Sequence, residues 1–395
     1  MDPRRTPKHI NITTNPASFD TMEIDLSYIR TIPQKDTNRC WMICAISEPL
    51  SRFRMETGLT DFELSLNYIA FWDCVEKCSL FFENIILTRN LPVGSDAVQR
   101  ILRFGIDDGG DWVNAAEVIT KYGVVPEEAM PETNASADPG EVFLFIERYA
   151  RHIALQIRAA EDNYSIGSIK ESALQMIYGY LAENFGKPPA VVELQPRLRE
   201  KMAVAETHIS PRKLADLILG DSLLHQYSFV SVDSAFTPMN TKFVFPYNGY
   251  HVLTPHAEYI NIGFRELKAK ILYQLQDGKA VPIACDTRYC QKPENRIFDL
   301  QRHSHELAFP IDRKRGFDVQ LLRINHCMLI VGVKEQCDGS LLWKIANSWA
   351  ANPDEFYYAT DSWFDTFVFE AVIAQQFCGY MNYPECEMLP DSVIL

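Results

Sequence analysis

Apolar positions in the first half of the chain recur at helical spacing. From Cys40 onward, Trp41, Ile43, Cys44, Ile46, Leu50 and Phe53 follow in mixed steps of three and four, which predicts a well-buried helix opening close to Cys40. A second long helix is predicted over about 64–87, carrying Tyr68, Phe71, Trp72, Val75 and Phe82. Gly109-Gly110 interrupts the chain before a shorter helical pattern over 111–122, closed by Gly123 and then Pro126. Three more helical patterns cover 141–161, 168–184 and 211–219, where Ser210 before Pro211 reads as an N-cap followed by an N1 proline.

After about Tyr227 the period falls to 2 or to short apolar runs. Strands are predicted over 229–232, 242–245, 281–285, 326–333, 341–346 and 367–373, with Asp338-Gly339 as a hairpin turn between the fourth and fifth. A helical block followed by a strand block predicts α+β packing. Residues 1–30 are polar without a strong period and read as an arm.

Composition narrows the class. The 395 residues carry a net charge of -14, which argues against nucleic-acid binding, because holding phosphates requires a basic surface. The first residues are charged and lead into no apolar run, so no secretory signal is expected, and no stretch is long and apolar enough to predict a membrane span. Ten cysteines in such a chain read as reduced thiols of a cytoplasmic protein. The glycosylation-type triplets at Asn11, Asn134 and Asn163 would then stay unmodified.

The chemistry centres on Cys40, set in Gln34-Lys-Asp-Thr-Asn-Arg-Cys40-Trp41 and followed far downstream by His326 and Asn347-Ser-Trp349. A thiol attacks as thiolate, so it needs an imidazole to hold its proton, a polar group to orient that imidazole and a donor for the oxyanion. Cys40, His326, Asn347 and Gln34 supply these four roles. A thiolate in the first turn of a helix gains further from unsatisfied backbone N–H groups. The hairpin at Asp338-Gly339 would bring His326 and Asn347 to the same end of a sheet, with Trp349 covering their hydrogen bond.

These residues resemble the papain superfamily of cysteine peptidases, and more closely the bleomycin hydrolase, or aminopeptidase C, family. Beyond Gln34, Arg39-Cys40-Trp41, His326 and Asn347-Ser-Trp349, the similar segments include Phe71-Trp72-Asp73, Asp108-Gly-Gly-Asp-Trp112, Lys121-Tyr-Gly-Val-Val-Pro126, Lys187-Pro-Pro189, Asp277-Gly278, Cys285-Asp286 and His305-Glu-Leu307, in family order from about 30 to 375. The resemblance implies a papain-like fold: a helical subdomain, an antiparallel β subdomain and a helical insertion. His326 lies roughly 290 residues after Cys40, about twice the ~130–150 of papain and the cathepsins, which leaves room for that insertion. The expected organisation is an arm over 1–30, the helical subdomain over 31–134, the insertion over 135–225, the β subdomain over 226–375 and a tail over 376–395.

The resemblance further implies peptide substrates, a homohexamer and no metal or organic cofactor. It places Trp41, Gly109, Gly110 and the terminal Leu395 at the substrate cleft, where the chain's final carboxylate binds a free amine and enforces aminopeptidase action. Gly109 and Gly110 serve equally well as a tight turn. The tail, Met388 to Leu395, ends earlier than is usual in that family, so an endopeptidase with an open cleft and a non-catalytic scaffold remain as alternatives. Asn38 stands where the family has glycine, a position for positive φ if one is needed, Ala350 replaces the glycine after Asn-Ser-Trp, and Cys327 follows the histidine where a smaller residue is common, an oxidation-prone thiol beside the site. Cys40/Cys44 with Cys74/Cys78, His303 with His305, and Asp107-Asp108 are set aside as metal ligands, since they lack the knuckles or remaining ligands of zinc and calcium sites.

Overall fold

A computed structural model describes residues 22–235, 237–245, 257–290, 293–300 and 310–387. Asn11, His303, His305 and Leu395, with most of the expected arm and the end of the tail, lie outside them. The helices are α1 (Cys40–Thr57), α2 (Leu66–Leu87), α3 (Asp96–Phe104), α4 (Trp112–Tyr122), α5 (Asn134–Ala137), α6 (Gly140–Ala159), α7 (Asn163–Phe185), α8 (Pro196–Met202), α9 (Pro211–Leu219), α10 (Phe264–Gln276), α11 (Asp361–Phe367) and α12 (Gln375–Cys378). The strands are β1 (Glu23–Asp25), β2 (Val192–Glu193), β3 (His208–Ile209), β4 (Gln226–Val230), β5 (Thr241–Phe245), β6 (Ala257–Asn261), β7 (Val281–Cys285), β8 (Ile297–Phe298), β9 (His326–Glu335), β10 (Leu341–Ala346), β11 (Tyr357–Thr360), β12 (Val368–Ala374) and β13 (Glu385–Glu387).

Local chemistry explains the helix ends. Ser65 accepts from Tyr68 N–H and Ser210 from Lys213 N–H, while Asp111 and Asn114 form a reciprocal capping box that starts α4. Gly58 closes α1 in the left-handed conformation that its missing Cβ permits. The apolar stripes of α1, α2, α4, α6, α7 and α9 merge into one core that runs from Cys40 to Leu223 and takes in Val372 of β12, so the 135–225 block shares its interior with the helices before it.

A second core lies around the large sheet, whose strand order is β13-β5-β6-β4-β12-β7-β9-β10-β11-β8, with β1 added on β9. Most pairings are antiparallel, as expected, but β4–β6, β5–β13 and β8–β11 are parallel. The strand block also contains α10 and α11, which the change of period had obscured. Leu267, Ile271 and Leu275 of α10 are spaced by four and buried, so a helical signal was present within a stretch read as strands. α11 has seven residues, too few for a period, and is set by its N-cap, Thr360, which accepts from Trp363 N–H.

Candidate active site

Cys40 opens α1, and the loop before it is fastened to the loop before α4. Asp108 accepts the Asn38 N–H at 2.9 Å and the Arg39 Nε at 3.4 Å, while Trp41 Nε1 donates to the Asp108 carbonyl at 3.4 Å. Arg39, almost wholly buried, also pairs with Glu132 at 2.7 Å and donates to the Ser136 carbonyl at 2.8 Å. A buried guanidinium has to be saturated in this way to offset its lost hydration. Asn38 does not take up positive φ; within this loop Lys35 does, at 54°.

Gly110 lies directly on the Trp41 indole, where an added Cβ would come within 2.7 Å of the ring. Trp41 is fully buried and supports the Gly109-Gly110 segment from beneath. The Gly109 carbonyl accepts from Lys77 Nζ, which also bonds the Asp107 carbonyl at 2.9 Å.

His326 begins β9 and Asn347 follows the last residue of β10. The two strands pair antiparallel through a turn in which Gly339 N–H donates to the Gln336 carbonyl at 2.9 Å. The hairpin therefore brings both residues to one end, as expected. His326 Nε2 and Asn347 Oδ1 are 2.9 Å apart; since the amide oxygen only accepts, Nε2 carries the proton and donates. Asn347 Oδ1 also accepts the Trp349 N–H at 3.2 Å, which fixes the amide orientation. The Trp349 ring stacks on the imidazole. Ala350, in place of glycine, needs no positive φ and donates its N–H to the Asn347 carbonyl at 3.0 Å.

Gln34 is tied to the same loop. Its N–H donates to the Ser348 carbonyl at 2.9 Å, its Oε1 accepts from Ser348 Oγ at 2.6 Å, and its Nε2 donates to the Thr37 carbonyl at 2.6 Å. One of the two amide protons remains beyond the Thr37 bond.

Cys40 is 8% exposed and its thiol is held well below the ordinary cysteine range. Hydrogen bonding to Cys327 is the largest cause; burial opposes it, and the charge and hydrogen bond of His326 add to it. Cys327 itself is pushed well up by that hydrogen bond and by burial, and burial does the same to Cys285 and Cys44.

One row across the sheet joins Glu370 of β12, Ala284 of β7 and Cys327 of β9. Glu370 is 4% exposed, and burial, then the nearby Asp111 charge, push its carboxyl up to about 8. Among the described residues, no group of three or more His, Cys, Asp or Glu is placed to hold a metal ion.

The structure thus brings Cys40, His326, Asn347 and Trp349 together, with Gln34 bound to the Asn347 loop; Leu395 lies outside the described residues. Sequence reasoning missed Asp108 as the fastener of the Cys40 loop, although Asp108 stood in a quoted segment. It also missed Ser348 and Glu370, whose partners come from distant strands and loops.

A helical and a β subdomain that meet at a thiol–imidazole–amide constellation define the papain-like class of cysteine peptidases. The chain belongs to the Peptidase C1-like family, whose sequence model matches residues 10–389. It is 29% identical over 351 residues to an aminopeptidase C of Listeria monocytogenes, covering 87% of this chain and 80% of that relative. It is 28% identical over 365 residues to an aminopeptidase C of Streptococcus thermophilus, covering 90% of this chain and 82% of that one. The crystal structure of PepW from Lactobacillus rhamnosis superposes with a TM-score of 0.84 at 25% identity, covering 94% of this chain and 87% of that chain. The expected enzyme class and papain-like α+β fold are borne out.

Proposed function

We propose that this cysteine peptidase acts as an aminopeptidase on peptides with free N-termini, with Cys40 as nucleophile, His326 as acid–base, Asn347 as orienter of the imidazole and Gln34 as oxyanion donor. The observation that carries the reading is the 2.9 Å His326–Asn347 hydrogen bond, which leaves Nδ1 as the ring nitrogen available to the acidified Cys40 thiol.

In this reading the Cys40 thiolate attacks the scissile carbonyl carbon. The oxyanion is met by the second Gln34 amide proton and by the Cys40 N–H, which at the start of a helix has no partner in the helical ladder. His326 gives its proton to the leaving amine, an acyl-enzyme forms, and the neutral imidazole then takes a proton from the water that hydrolyses it. The proposed cleft includes Gly109 and Gly110 along an extended peptide, with Leu395 as the carboxylate that anchors the substrate amine. The names of the aminopeptidase C relatives support the exopeptidase mode.

The subdomain limits at 31–134, 135–225 and 226–375, a homohexamer and a cytoplasmic location belong to the same proposal. The first two rest on the family resemblance. The last is supported by ten cysteines that are all thiols rather than disulfides.

The test is one peptide in free and N-acetylated forms, incubated with and without a thiol-alkylating reagent and read by mass spectrometry. Stepwise loss of N-terminal residues from the free form alone, blocked by alkylation, is expected. Internal cuts in both forms would replace the aminopeptidase with an open-cleft endopeptidase, and no cleavage of either would leave a scaffold.

A further inference from the structure

The nucleophile candidate has three other thiols around it, and they are not equivalent. Cys44 lies one turn further along α1. Two side chains one turn apart on a helix point the same way, which is poor geometry for an S–S bond. Cys285 ends β7, fully buried, and its thiol is directed to the His326 carbonyl at 3.4 Å. Cys327 differs from both. It follows His326 on β9, is only partly buried, packs against the helical core that contains Cys40, and is the neighbour that most depresses the Cys40 thiol.

We propose that Cys40 and Cys327 form a peroxide-reactive dithiol site, in which a hydroperoxide oxidises Cys40 and Cys327 resolves the product into a reversible disulfide. The proposal takes from the functional reading only that Cys40 is a thiolate.

The thiolate sulfur attacks one peroxide oxygen, the O–O bond breaks, and with one proton taken up the products are a Cys40 sulfenic acid and water, or the corresponding alcohol from an organic hydroperoxide. Sulfur loses two electrons and peroxide gains them. The Cys327 sulfur then attacks the sulfenic sulfur; the S–O bond breaks, hydroxide leaves with the Cys327 proton as a second water, and the S–S bond forms. A dithiol reductant restores both thiols. Without a resolving thiol in contact, further peroxide carries the sulfenic acid to sulfinic acid, which thiols do not reverse. The site thus takes a small hydroperoxide as oxidant and a low-molecular-weight thiol as reductant.

The reduced protein is treated with a few equivalents of hydrogen peroxide, and its intact mass, its digest and its peptide hydrolysis are followed. Expected are a fall of about 2 Da, a cross-linked peptide joining Cys40 to Cys327, and recovery of both mass and hydrolysis with dithiothreitol. In Cys327→Ala, with folding checked by circular dichroism, the mass should instead rise by oxygen additions. The fraction of its own untreated rate that dithiothreitol restores should drop at least fivefold. Sulfinic acid at Cys40 without the cross-link in the unaltered protein, or a cross-link to Cys44 or Cys285, overturns the proposal. The mass readout needs no turnover; a disulfide that forms while hydrolysis continues would sink Cys40 as nucleophile and leave the dithiol site standing.

Discussion

Trp349 lies nearly flat on the imidazole of His326, with ring centroids 4.2 Å apart and planes inclined by 18°. The indole covers a hydrogen bond that matters most when the ring is charged, and the exclusion of water strengthens it. Trp349→Ala should lower kcat about twofold to tenfold with a smaller change in KM, and Trp349→Phe should recover most of the loss, since an aromatic face accounts for about 0.5–1.5 kcal/mol. Steady-state kinetics on a free peptide decides this.

Asn347→Ala removes the acceptor from His326 Nε2. A hydrogen bond to a charged group contributes about 1.5–3 kcal/mol, so kcat/KM should fall about 10–10²-fold with little loss of fold. Retained activity in this variant would show that another group orients the ring.

Cys40 should alkylate at pH values well below the ordinary thiol range. Its depressed pKa means the thiolate is present above that value and is lost as pH falls through it. The rate of iodoacetamide reaction against pH measures the midpoint. Cys327→Ala removes the largest depressing influence and should move that midpoint upward.

Arg39 and Asp108 hold the loop before Cys40 as a buried ion pair. Asp108→Ala leaves the guanidinium with Glu132, the Ser136 carbonyl and the face of Phe185, and removing one member of such a pair costs about 3–5 kcal/mol. A fall in melting temperature should accompany slower alkylation of Cys40. If melting falls while alkylation is unchanged, the pair supports the fold without positioning the thiol.

Glu370 makes stability depend on pH. Its carboxyl ordinarily titrates near 4.5 and is held up to about 8 in the native protein, so its contribution is fully present below 4.5 and is lost as pH rises through 8. Glu370→Gln should flatten the decline in melting temperature between pH 5 and pH 8.5 and raise stability at the upper end. Parallel thermal scans of both proteins test it.

Much of this was legible because it is local. The start of α1 at Cys40, the Ser210-Pro211 entry to α9 and the β9–β10 hairpin are each written within a few residues, in period, cap or turn chemistry. The His326–Asn347 meeting followed from the hairpin alone. What escaped depends on distant pairings. Glu370 is one apolar-flanked acid in a strand pattern until β4 and β7 close on either side of it and α4 brings Asp111 near. The left-handed backbone falls at Lys35 rather than at Asn38, whose N–H donates to Asp108, some seventy residues away. The α10 helix was hidden by a block-level reading of period, not by its residues.

Cys40 belongs to the helical core, whereas His326 stands on a strand whose following residues, Met328 to Val331, belong to the sheet core. The distance between thiol and imidazole is therefore a gauge of how the two halves are seated. With Cys40 and His326 in their proposed roles, a small slip along their seam would disable hydrolysis while each half kept its own interior intact, so on gentle denaturation catalysis should fade before either core melts.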